Sequence, residues 1–72
     1  MALKAGDVVR RAARAGDTLV PLLVYGLVAD DSGRLRAELF IRLPGGAPGS
    51  WAGCLSLRRL RPWDTAKDGP LA

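Results

Sequence analysis

The chain reads as an all-β protein, a small and strongly bent antiparallel barrel or sandwich of about five strands. Three observations predict this. Arg34 to Leu43 alternates strictly, with Leu35, Ala37, Leu39, Ile41 and Leu43 set against Arg34, Arg36, Glu38, Phe40 and Arg42. That is the period-two pattern of a half-buried strand. Asp30-Asp31-Ser32-Gly33 precedes it and is turn chemistry: Asp and Ser bond back to local backbone, and Gly supplies positive φ. A second alternating run, Trp51 to Leu57, follows the loop-forming stretch Pro44-Gly45-Gly46-Ala47-Pro48-Gly49-Ser50.

Taken in chain order, Gly6-Asp7-Val8-Val9-Arg10 forms a turn leading into a first strand. The competing reading is a helix over Val8 to Ala15, capped by Asp7 and closed by Gly16, with Arg10, Arg11 and Arg14 outward. Leu19 to Ala29 is the second strand; Val20, Val24 and Val28 favour it, Pro21 marks an edge or bulge, and Gly26 marks a bend. The third strand, Arg34 to Leu43, also has a helical alternative, because Leu35, Leu39, Phe40 and Leu43 share a helical face and these residues form helices well. Either helix makes the fold α+β. The strand is preferred because that helix leaves Ala37 and Ile41 off its apolar stripe. In the fourth strand Trp51, Gly53, Leu55 and Leu57 share one face, opposite Ala52, Cys54 and Ser56. Arg58-Arg59-Leu60-Arg61 runs into Pro62-Trp63, which ends a single domain over residues 1–63; residues 64–72 are polar, bear Pro and Gly, and read as a flexible tail.

The opening Leu3-Lys4-Ala5-Gly6-Asp7-Val8-Val9-Arg10 resembles that of small SH3-like barrel proteins, in particular the YodC-like group. The resemblance implies that the Gly-Asp turn feeds the first strand, that Gly16 lies in the loop to the second, and that Phe40 matches an aromatic of the third. It also implies that Leu57-Arg58-Arg59-Leu60-Arg61 is the short turn and last strand that close the barrel. It supplies a fold rather than a function.

Size and composition narrow the function classes. A chain of 72 residues has one core, and burying only roughly 60% of its unfolded surface makes self-association physically useful. The longest apolar run, Leu19 to Ala29, is broken by Pro21 and Gly26 and is shorter than the roughly 20 residues of a membrane-spanning helix. No apolar stretch of signal-peptide length opens the sequence. Cys54 is the sole cysteine, so no internal disulfide forms, and the expected compartment is the cytoplasm. Nine of eleven basic residues are Arg, and His, Asn and Gln are absent. This is the stamp of GC-rich codon usage, so the net charge of +4 is discounted as a nucleic-acid signal.

No catalytic or metal site is expected, and no cofactor. Without His, general acid–base chemistry needs a perturbed carboxylate, Lys, Tyr or Cys. Asp30 and Asp31 read as turn residues, and Glu38 as a surface ion-pairing residue between Arg36 and Arg42. Cys54 lacks a His or Cys partner and reads as an ordinary, small core thiol. Gly45, Gly46 and Gly49 lack the strand–helix context of a phosphate-binding loop, and no small-molecule substrate is evident.

What remains is binding. Phe40 is an aromatic exception on a charged strand face, and Trp63 follows a proline at the domain edge. With Arg36 and Arg42 they form the expected docking surface for a protein partner or a second copy, making a homo-oligomer. The alternative is weakly sequence-specific binding of RNA or single-stranded DNA. It uses Arg34, Arg36 and Arg42 on the third strand with Arg58, Arg59 and Arg61 near the end, beside stacking aromatics.

Overall fold

A computed structural model describes residues 2–72. Five strands form one antiparallel sheet: β1 Val8–Arg11, β2 Leu22–Ala29, β3 Leu35–Arg42, β4 Pro48–Ser56 and β5 Leu60–Pro62. A single turn of 3-10 helix, Leu57–Arg59, joins β4 to β5, and a four-residue helix, α1 Thr65–Asp68, follows. The strand order β4-β3-β2-β1-β5 gives a small all-β, barrel-like fold, left open between β4 and β5. Both helical alternatives are displaced, since Val8–Arg11 and Leu35–Arg42 are extended. Helix propensity loses because each segment completes a ladder: β1 sits between β2 and β5, and β3 between β2 and β4.

The turn at 30–33 forms as its residues dictate. Asp30 Oδ1 accepts from the Ser32 amide at 2.9 Å, the Ser32 hydroxyl at 2.6 Å and the Arg34 amide at 3.0 Å, and Gly33 takes φ +81°. These bonds hold Asp30 ionised below the usual carboxylate range, the Ser32 hydroxyl contributing most and the Arg34 amide next. At the N-terminal side the Lys4 amide bonds Asp7 Oδ2 at 3.0 Å and depresses that carboxyl in the same way.

Among the described residues the core is seven apolar side chains: Leu3, Val9, Leu22, Val24, Ala37, Leu39 and Leu60. Ala37 and Leu39 are buried inward positions of β3, as alternation predicts; Leu35, at its start, and Leu43, just past its end, are exposed. Fully buried Leu39, Leu60, Val9 and Val24 each contribute roughly 1.5–3 kcal/mol by leaving water.

Three register shifts depart from simple alternation, one in β2 and two in β4, the last of them at Gly49–Ser50 between Phe40↔Trp51 and Arg42↔Pro48. In β2 the register shifts between Val24 and Gly26, so Tyr25 has no partner on β3, while Leu27 points back to the core. In β4 the register shifts between Leu39↔Gly53 and Phe40↔Trp51, leaving Ala52 as the extra residue. Gly53 takes φ +99°, a conformation glycine adopts without strain. The extra residue reverses the facing of Trp51, which precedes it. Ala52 therefore packs on the core with Leu55 and Leu57, whereas Trp51 faces solvent. The expectation that Trp51 shares a face with Leu55 and Leu57 is corrected by this bulge. β4 also begins at Pro48, inside the stretch read as a loop.

Residues 64–72 run back over the sheet. The Trp63 amide donates to Val8 O at 3.0 Å and its indole Nε1 to Gly69 O at 2.9 Å. Arg10 Nε lies 3.0 Å from Asp68 Oδ2, an ion pair without in-line hydrogen-bond geometry. Ala72 O accepts from the Gly45 amide and from Arg42 Nη1, each at 2.9 Å. The Asp64 amide, then the Arg10 guanidinium, hold the nearly buried Asp68 carboxyl below its ordinary pKa against the opposing effect of burial.

Candidate functional site

Cross-strand partners point to the same side of a sheet. The pairings Val8↔Leu23, Leu23↔Phe40 and Phe40↔Trp51 therefore draw one apolar row across the outer face of β1, β2, β3 and β4. At about 4.8 Å between strands the row is about 14 Å wide. Tyr25, released by its bulge, joins it: its ring lies 5.0 Å from that of Phe40 at a tilt of 54°. Tyr25 is 61% exposed and Trp51 62%, while Phe40 between them is half-buried. Three of the four aromatic residues of the chain thus meet at one spot, two of them delivered there by bulges.

The charged residues of β3 frame this row. Arg36 and Arg42 lie on the outer face to either side of Phe40. Neither is unengaged: Arg36 Nε is 3.4 Å from Asp30 Oδ2, and Arg42 bonds Ala72 O. Glu38 sits between Arg36 and Phe40 but makes no ion pair among the described residues, so the expected pairing of Glu38 with its arginine neighbours is replaced by Asp30 with Arg36. Cys54 is the β4 partner of Glu38, half-buried on the outer face rather than in the core cluster.

The remaining expected site residues are dispersed. Trp63 follows β5, and β1 and β2 lie between β5 and Phe40 on β3. Its indole closes the turn at 64–69, so Trp63 and Phe40 form no common patch. Arg34 and Arg36 lie near the turn at 30–33, and the 3-10 turn bearing Arg58 and Arg59 follows Ser56, the register partner of Arg36. Arg61 stands apart on β5, with β1 and β2 between it and the arginines of β3; it is paired with Arg10 and folds onto the Arg58 and Leu60 carbonyls at 2.9 and 2.8 Å.

Sequence reasoning missed Tyr25 and Trp51. The signal was present in the isolated glycines beside them, since Gly within a strand pattern marks a bulge, and a bulge turns the neighbouring side chain to the other face. Among the described residues no group of three or more His, Cys, Asp or Glu side chains gathers as a metal site, and no helix is long and apolar enough to cross a membrane.

A separate groove of about 580 Å³ lies between the loop 12–21 and the strands, walled by Leu19, Val20, Leu22, Ile41 and Ala52 with Arg11 at its rim. The chain as a whole matches no protein-family model, no curated protein and no solved structure.

Proposed function

We propose that the protein is a non-enzymatic binding module that docks a protein partner, in the first instance a second copy of itself, through the outer face of β2, β3 and β4. The observation that carries this is the apolar row Leu23–Phe40–Trp51 with Tyr25 stacked beside Phe40. Tyr, Trp and Arg dominate the energetics of protein interfaces, and here they stand together on one sheet face. Self-association also compensates a core of only seven buried residues by adding apolar burial that the monomer lacks. Sedimentation velocity across a range of concentrations tests the proposal. The expected result is a concentration-dependent dimer that Trp51→Ser and Tyr25→Ser abolish without loss of fold. A strictly monomeric protein that also captures no partner through this face refutes it.

Arg36 and Arg42 on either side of Phe40 favour a second reading, in which single-stranded RNA or DNA stacks on the same aromatics. Protein docking is preferred because Asp30 and Ala72 O engage these cations and Glu38 lies among them. Anisotropy of a labelled oligothymidine at low salt separates the two. Tight binding that weakens steeply with salt supports the second reading.

A further inference from the structure

We infer that the groove beneath loop 12–21 is a second, independent site that takes a small amphipathic monoanion, an alkyl carboxylate, with its chain on the core wall and its carboxylate at Arg11. The wall is apolar: Leu22 is 3% exposed, and Ile41 and Ala52 pack against the core cluster. Leu19 and Val20 line it from the loop side, and Val20 remains 42% exposed. At about 580 Å³ the space suits a small ligand.

The head group follows from the charges at the rim. Arg11 is exposed and has no carboxylate partner among the described residues; its one side-chain hydrogen bond there is Arg11 Nη2 to Ala52 O at 3.4 Å. A guanidinium so placed offers a fork of donors that matches a carboxylate. Asp17 lines the same groove, its Oδ2 accepting from the Arg14 amide at 2.9 Å. Arg11 is the single cation in the lining, so its one positive charge matches a monoanion and not a phosphate dianion, which Asp17 further disfavours.

The loop is built for entry. Between β1 and β2 it is tied by the 14–17 turn, where Asp17 N bonds Arg14 O at 3.1 Å, and by Ala12 N to Arg59 O at 2.8 Å. Residues 18–20 make no backbone hydrogen bond of their own to the sheet among those described outside the strands, so Leu19 and Val20 can shift without breaking a ladder.

The experiment titrates the full chain with sodium decanoate below its micelle threshold, following backbone amides by NMR. Decanol and decyltrimethylammonium carry the same chain with a neutral and a cationic head. The expected result is one saturable decanoate site, in the range of about 100 µM, that shifts the amides of Arg11, Leu19, Val20 and Ala52. Decanoate should bind about ten-fold tighter than decyltrimethylammonium. Arg11→Gln should erase that preference, Arg11→Lys should keep part of it, and Val20→Glu should abolish binding with the circular dichroism unchanged. Equal affinity for the three heads, shifts confined to Tyr25, Phe40 and Trp51, or no saturation at millimolar decanoate overturns the inference. So does tighter binding of a peptide ending in a free leucine carboxylate, which makes the occupant a chain terminus. Trp51→Ser should leave decanoate binding intact, so failure of this site and failure of the outer face are read separately.

Discussion

Substituting alanine at Gly53 and at Gly26 isolates what the β4 bulge costs. A Cβ at either position meets no heavy atom within 4 Å, so packing contributes nothing to the comparison. The backbones differ: Gly53 holds φ +99°, whereas Gly26 lies outside the positive-φ region. Alanine forced to keep the Gly53 conformation costs about 1–3 kcal/mol. Alanine at Gly26 lowers only the entropy of the unfolded chain and stabilises by about 0.4–1 kcal/mol. In a domain this small each kcal/mol moves Tm by roughly 4–8 °C. Gly53→Ala should therefore lower Tm by roughly 4–24 °C, and Gly26→Ala should raise it by a few degrees, as read by thermal melts monitored by circular dichroism. Acrylamide quenching of Trp51 fluorescence in a Trp63→Phe background reads the local effect, because straightening the bulge turns the Trp51 indole away from solvent. A neutral or stabilising Gly53→Ala, or a destabilising Gly26→Ala of similar size, refutes the assignment of strain to the β4 bulge.

Leu39→Ala removes a side chain that is fully buried beneath β3 and should cost about 2–5 kcal/mol in urea unfolding, close to the whole stability of a chain this size. Acidification should destabilise the fold. Asp7, Asp30 and Asp68 titrate below the ordinary value of 3.8 in the folded state, so their stabilisation is complete above that value and is lost as pH falls through the depressed values. A urea midpoint that is flat or rises from about pH 6 to about pH 2 contradicts this sign. Cys54→Ser should leave self-association and decanoate binding unchanged in the assays above, because no His, Cys or basic side chain bonds the sulfur among the described residues; loss of either on this substitution alone reopens a role for the thiol.

The elements governed by local chemistry were legible in the sequence. Asp30 and Ser32 specify their own turn, and the alternation of Ala37 and Leu39 against Arg36 and Glu38 specifies the facing of β3. Facing across β4 was not, because alternation assumes an unbroken register and Gly53 breaks it. Phe40 was legible as an exception on its own strand. Its neighbours Tyr25 and Trp51 come from strands whose bulges only pairing with β3 reveals. Trp63 illustrates the opposite limit: proximity to basic residues in sequence suggested a surface role, yet the indole is spent on the Gly69 carbonyl six residues later.

The run from Trp63 to Ala72 has a topological consequence. It leaves the sheet at β5, one edge, and reaches the loop between β3 and β4 beside the other. Between these ends it fastens to β1 through Asp68 and Arg10, and to the far hairpin through Ala72 O. The sheet is thus belted by chain laid across it from β5 and β1 to the β3–β4 hairpin, rather than extended by a sixth ladder. A belt of this kind couples the two edges: releasing one buckle lets the sheet uncurl as a unit. Amide exchange at Gly45 and at Trp63 should then accelerate together when Arg42→Gln cuts the far buckle, although 18 positions separate them along the chain and their amides bond different carbonyls, Ala72 O and Val8 O.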